Sequence, residues 1–122
     1  MPYSPTIVVI DDDAITLKVL SVVLNSEDVV VRVAQDPEAG YRLAQTEGPQ
    51  LIILDMYMPG KDGLSLLMDI RSNPATRNTP VLMLTSEKRM KKVAEGLGAN
   101  GYLTKPFSPV ELRQKISELL HT

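Results

Sequence analysis

The sequence predicts a three-layer α/β fold, a parallel sheet covered by helices on both faces. Three observations carry this reading. Five short runs rich in Val, Ile and Leu recur along the 122 residues, each bounded by polar or turn-forming residues. The segments between and after them repeat their apolar residues at helical spacing. Four of the five runs lead into a residue able to do polar chemistry: Asp11 and Asp12, Asp55, Thr85, and Lys105. Strict alternation with short connections favours parallel strands, and right-handed crossovers leave few topologies. Parallel strands bring all those ends to one edge of the sheet.

Each element has its own signal. Thr6–Ile10 is β-branched and apolar and opens into Asp11-Asp12-Asp13. Asp13 is an N-cap type, and Ile15, Leu17, Val19, Leu20, Val23 and Leu24 follow at roughly helical spacing until the polar stretch from Asn25 to Asp28. Val29–Ala34 is the second strand. Asp36-Pro37-Glu38 pairs a capping residue with proline at the first helical position, and that helix runs through Tyr41 and Leu43 to about Glu47, where Gly48-Pro49 stops it. Leu51–Leu54 is continuously apolar, as a strand buried on both faces must be. It runs into Asp55, and Pro59, Gly60 and Gly63 mark the turn beyond it.

The second half repeats the scheme. Leu64, Leu67, Met68 and Ile70 define a short helix ending near Ser72-Asn73-Pro74, and residues 74–80 read as a polar loop. Val81–Leu84 is the fourth strand and leads into Thr85-Ser86. Met90, Val93, Ala94 and Leu97 share one helical face, which Gly98-Ala99-Asn100-Gly101 interrupts. Gly101–Thr104 is a short fifth strand before Lys105-Pro106. Ser108 and Glu111 form a capping box around Pro109, and the last helix is expected to reach about His121.

Composition excludes several functions. A length of 122 residues suits a single domain spanning 1–122 with one sizeable core. A formal net charge of -2 lacks the basic footprint of a nucleic-acid binder. No cysteine is present, so disulfides and thiolate chemistry are excluded, in keeping with a reducing compartment. No apolar run approaches the ~20 residues that span a bilayer, and Met1–Pro5 lacks the features of a signal peptide. A cytoplasmic protein without membrane contact is expected.

The gathered strand ends point to phosphoryl chemistry. Two like charges ~4 Å apart repel by roughly 4 kcal/mol at an effective dielectric near 20, so a carboxylate cluster ordinarily holds a cation. Oxygen ligands without His or Cys favour Mg²⁺ or Mn²⁺ or Ca²⁺ over zinc. A carboxylate, a hard cation, a lysine and a hydroxyl together suit phosphoryl transfer, in which positioning and charge neutralisation dominate. The carboxylate itself can be the nucleophile.

These pieces resemble the receiver domain of bacterial two-component response regulators over essentially the whole chain. The matching residues are Asp11-Asp12, Asp55 with Met58-Pro59 and Asp62-Gly63, Thr85-Ser86, and Lys105-Pro106-Phe107. Each is weak alone; in order, each at its own strand end, they are specific. The resemblance implies the flavodoxin-like strand order 2-1-3-4-5 and a cis Lys105–Pro106 peptide. It implies that Asp55 accepts a phosphoryl group from a sensor histidine kinase or a histidine phosphotransfer protein. Asp12, Asp55 and the backbone carbonyl of Tyr57 would ligate Mg²⁺ (or Mn²⁺), and Asp11 would support the metal through water. Lys105 would pair with one phosphoryl oxygen and Thr85 with another. Tyr102 matches the aromatic that moves inward with Thr85, and Tyr57 holds a position that tunes dephosphorylation.

On this reading the protein is a switch that catalyses only its own phosphorylation and dephosphorylation, as a monomer or a phosphorylation-dependent dimer. Its readout is an output protein docking on helix 4, strand 5 and helix 5. Helix 4 looks weakly held: Lys88 and Lys92 are like charges at i,i+4, and Gly96 weakens a helix. Its basic run from Lys88 to Lys92 otherwise reads as a solvated face, and His121 as a surface residue at the chain end. Alternatives are a receiver domain cut from a longer transcription factor or enzyme, with no DNA-binding segment on this chain, and a stand-alone aspartyl phosphatase. Haloacid-dehalogenase-type phosphatases place a second Asp two residues after the nucleophile, where this chain has Tyr57. A nucleotide-binding module would have a Gly-rich loop after strand one, where Asp11-Asp12-Asp13 stands instead.

Overall fold

The computed structural model describes residues 4–25 and 28–120; the predicted helix end at His121 and part of the polar stretch after Asn25 lie outside them. The strands are β1 (Thr6–Ile10), β2 (Val30–Ala34), β3 (Leu51–Asp55), β4 (Val81–Thr85) and β5 (Gly101–Thr104). The helices are α1 (Ala14–Asn25), α2 (Pro37–Glu47), α3 (Gly63–Ser72), α4 (Lys91–Gly96) and α5 (Pro109–Leu120). All strand pairs are parallel, in the order β2-β1-β3-β4-β5. This is the flavodoxin-like arrangement that the resemblance implies.

Period-two alternation sorts the strand residues onto two faces. Val8, Ile10, Ile52, Leu54, Val81 and Met83 pack with Ala44, Leu66, Leu67, Ile70 and Ala94 of α2, α3 and α4. Ile7, Val9, Leu51, Ile53, Leu82 and Leu84 pack with Leu20, Val23 and Leu24 of α1 and with Leu112, Ile116 and Leu119 of α5. The three central strands are buried on both sides, which is why their sequences are continuously apolar.

The caps follow their chemistry. Asp13 accepts from the Ile15 amide at 3.0 Å and the Thr16 hydroxyl at 2.8 Å, and these bonds, the hydroxyl first, hold its carboxyl below the usual carboxylate range. Asp36 accepts from the Ala39 amide at 2.8 Å, and Gly48 closes α2 at φ 55°, a conformation glycine adopts without penalty. Ser108 and Glu111 exchange bonds of 3.1 Å across the start of α5. Gly63 sits so close to the chain after β3 that a Cβ there would lie 2.4 Å from the Asp55 carbonyl oxygen.

Three details depart from expectation. β2 begins at Val30 rather than Val29, and Val33 is half exposed because β2 is an edge strand. On that edge Arg32 pairs with Glu47 of α2 at 3.0 Å. The fourth helical segment is split: Lys88–Met90 form a 3₁₀ turn and α4 proper has six residues, with no side-chain cap at its start. Capping by Glu87, which accepts from the Arg89 amide at 2.9 Å, tightens that turn. The stretch 74–80 is not simply polar and solvated, since Thr76 is buried and donates to the Ile70 carbonyl at 2.7 Å.

Candidate functional site

The register of the parallel sheet builds the site. Ile10 lies opposite Leu54, so the chain leaves β1 and β3 side by side, and Asp11, Asp12 and Asp55 meet there. One carboxylate oxygen from each lies within 4.8 Å of the others. Their environments differ. Asp11 is fully buried, accepting from the Asp13 amide at 2.8 Å, whereas Asp12 is exposed. Asp55 is buried and receives a long bond, 3.5 Å, from the Tyr57 amide.

Lys105 completes the cluster from two strands away. Its ammonium lies 3.3 Å from Asp11 and 3.5 Å from Asp55, mostly shielded from solvent. The Lys105 amide donates to the Thr85 carbonyl at 2.7 Å, which ties its position to the end of β4. The Lys105–Pro106 peptide is cis, in line with the resemblance. Burial, reinforced by the Asp11 charge, pushes the Asp55 carboxyl up to about 6 despite the neighbouring lysine. Burial also raises Asp11, against its bonds to the Asp13 amide and to Lys105. Two buried carboxylates sharing one ammonium leave negative charge uncompensated.

The donor set fits a hard divalent cation. It offers carboxylate oxygens only, with neither His nor Cys, and Asp12 opens one side to water.

Thr85 is buried, and its hydroxyl oxygen accepts from the Glu87 amide at 3.1 Å. Tyr102 is buried on β5 with its hydroxyl donating to the Glu87 carbonyl. Glu87 therefore joins Thr85 to Tyr102, a link that the sequence reading did not contain. It is made by the Glu87 backbone, so no residue type advertises it. Tyr57 stands half exposed at the rim.

Beside Lys105 an apolar groove of about 330 Å³ runs between α1 and the β5–α5 connection, lined by Ile15, Val19, Pro106 and Phe107 among others. It continues along α1 past Val22 to Pro109. Ile15 and Val22 are largely exposed there, at 76% and 68%. Their helical spacing fits α1, but the sequence does not say which side of that helix is left uncovered.

Comparison with known proteins gives a consistent answer. Residues 7–117 match the model of the response regulator receiver domain. Protein PetR of Rhodobacter capsulatus is 38% identical over 118 residues, covering 95% of this chain and 48% of PetR. The chain thus spans about half the length of that relative. Chemotaxis response regulator CheY4 of Vibrio cholerae superposes with a TM-score of 0.89 at 28% identity, covering 96% of this chain and 99% of CheY4. The receiver domain of sensor histidine kinase PA1611 from Pseudomonas aeruginosa, whose structure has magnesium coordinated in its active site cleft, shares the fold, with a TM-score of 0.89 at 24% identity over 98% of this chain and 100% of that one. Receiver domains are the signalling switches of two-component systems, and this chain belongs to that family.

Proposed function

We propose that Asp55 accepts a phosphoryl group from the phosphohistidine of a sensor histidine kinase or a histidine phosphotransfer protein, and that this changes which protein partner is bound. The observation that carries the proposal is the meeting of Asp11, Asp12, Asp55 and Lys105, from three strand ends, in one partly buried cluster. A carboxylate oxygen of Asp55 attacks phosphorus. A P–O bond forms as the P–N bond of phosphohistidine breaks, and the imidazole leaves. At neutral pH a carboxyl group near 6 is mostly ionised and ready to attack.

Asp12, Asp55 and the Tyr57 carbonyl would hold Mg²⁺ or Mn²⁺, with Asp11 supporting it through water. The bound cation supplies charge neutralisation at the phosphoryl oxygens. Lys105, already held between Asp11 and Asp55, neutralises one phosphoryl oxygen, and the Thr85 hydroxyl meets another. Hydrolysis of the aspartyl phosphate resets the switch, so the protein acts only on itself. The exposed apolar groove along α1 opens beside Lys105 and gives a phosphodonor helix a surface to rest on. The output protein docks across α4, β5 and α5. We place this single receiver domain, residues 1–122, in the cytoplasm, as a monomer or a phosphorylation-dependent dimer.

Incubation with acetyl phosphate or beryllofluoride plus Mg²⁺, followed by mapping of the adduct, tests the assignment. Modification is expected at Asp55 alone and only with the divalent ion. Stoichiometric modification of Asp55→Asn would overturn it. A second reading, favoured by the chain's spanning 48% of PetR, is that the output is carried by further sequence of a longer regulator. Capture of a separate protein by the beryllofluoride form, without salt-sensitive DNA binding, separates the two.

A further inference from the structure

The edge of the sheet opposite Asp55 carries a second concentrated set of polar contacts, centred on Arg71 in the last turn of α3. Its guanidinium donates to the Gly98 carbonyl through Nε at 3.0 Å and Nη2 at 2.8 Å. Nη2 also reaches Asn100 Oδ1 at 2.8 Å, and Nη1 reaches the carbonyls of Thr79 and Arg77 at 2.7 and 3.1 Å. Among the described residues its partners are all carbonyl oxygens; no carboxylate pairs with it. Asn100 Oδ1 in turn accepts from the Val81 amide at 2.9 Å, and the Asn100 amide donates to the Val81 carbonyl at 2.9 Å. One planar fork therefore joins the α3–β4 loop, the α4–β5 turn and the starts of β4 and β5. Gly98 makes room for it: the backbone there has φ 106°, and a Cβ would meet Arg71 Nε at 2.9 Å.

The two ends of α4 are thus held by unrelated means. The end near Asp55 starts without a side-chain cap and follows a 3₁₀ turn tied to Thr85 and Tyr102 through Glu87. The far end has its amides satisfied, Gly98 to Glu95, Ala99 to Ala94 and Asn100 to Val81, and Arg71 clamps the carbonyl side. The Thr85 hydroxyl belongs to the first set and makes no bond in the second.

We propose that Arg71 is a positioning residue that forms the fixed pivot of the switch, clamping the α4–β5 turn so that a change at Thr85 tilts α4 about its far end rather than displacing the helix whole. The proposal rests on the switch reading above and adds the direction of the motion. Lysine cannot replace arginine there, because a single ammonium cannot span Gly98, Asn100 and Thr79 in one plane.

Amide NMR spectra of the full chain with and without beryllofluoride and Mg²⁺ test it, for the wild type and Arg71→Lys. In the wild type, activation shifts over residues 86–93 should exceed those over 98–101 several-fold. In Arg71→Lys the two stretches should shift comparably, and hydrogen exchange at Gly98, Ala99 and Asn100 should speed up on activation. A merely structural role would slow or speed exchange equally in both states. Equal shifts at both ends in the wild type, or an unchanged pattern in Arg71→Lys, overturn the pivot while leaving the switch intact. Wild-type shifts confined to the loops after Asp11, Asp55 and Lys105 overturn the switch reading and the pivot with it. If the variant does not fold, wild-type exchange decides: protection of those three amides unaltered by beryllofluoride supports the pivot, and its loss rejects it.

Discussion

Asp55 is the residue whose ionisation most directly couples the site to stability. Burial pushes its carboxyl up to about 6 in the folded protein, against an ordinary value of 3.8. The folded state therefore binds the proton more tightly than the unfolded chain does. The resulting stabilisation is complete below about pH 4 and is lost as pH rises through 6. Without divalent metal, the melting temperature should fall between pH 5 and 7, by the equivalent of ~1–3 kcal/mol. Asp13 and Glu87, both held low, act with the opposite sign, but at more acidic pH than this window. Asp55→Asn should flatten the fall, raise the melting temperature in EDTA at pH 7 and shrink the gain from Mg²⁺. Asp12→Asn should raise the melting temperature in EDTA by a smaller amount, since Asp12 is exposed. Thermal scans across pH with and without EDTA measure all of this. Metal-free stability that is flat or rising over pH 5 to 7 would contradict the account.

Among the elements, α4 shows most clearly what a sequence can and cannot say. The face made by Met90, Val93, Ala94 and Leu97 identified a helical segment, yet regular α-helix covers only Lys91–Gly96. Glu87 caps the start of the 3₁₀ turn through the Arg89 amide, and the hydrophobic period carries no sign of where that turn gives way to α-helix. Gly96 has open space where a Cβ would sit, and its φ is not positive. Gly96→Ala should accordingly stabilise the protein by about 0.5–1 kcal/mol, which is about 2–5 °C in melting temperature. A loss of stability in that variant would show that the glycine is required by packing. By contrast, α2 and the start of α5 were legible almost to the residue, because Asp36, Pro37, Gly48, Ser108 and Glu111 act locally. Arg71 was not legible at all. Its meaning depends on carbonyls between five and 29 positions away, and an arginine in a last helical turn ordinarily signals only a favourable dipole contact.

For the molecule as a whole, alternation of strand and helix was enough to bring the chemistry to one edge, because parallel strands all end there. The strand order rested on the resemblance to receiver domains, and the observed order β2-β1-β3-β4-β5 agrees with it. What alternation could not supply was the depth of each carboxylate. Asp11 and Asp12 are neighbours in sequence, yet one is sealed under the loop and the other faces water. That difference arises from the local turn, in which Asp11 accepts from the Asp13 amide.

The charged outer strand has a colloidal consequence. β2 pairs with β1 on one side only, and such an edge is a template for pairing with other chains. Its residues Val30, Val31, Val33 and Ala34 are apolar; Arg32 alone is charged, and Glu47 holds it at the surface. Replacing Arg32 with valine would leave six consecutive apolar residues, Val29 to Ala34, five of them valine, along a free edge. The single-molecule fold should scarcely notice, with a melting temperature within a degree or two of the wild type. The solubility limit should drop, and light scattering should grow with concentration and incubation time. A variant that stays clear at high concentration would show that α2 and the twist of the sheet already shield this strand. If the variant clouds instead, one guanidinium on the outer strand sets how densely the protein can be stored in solution.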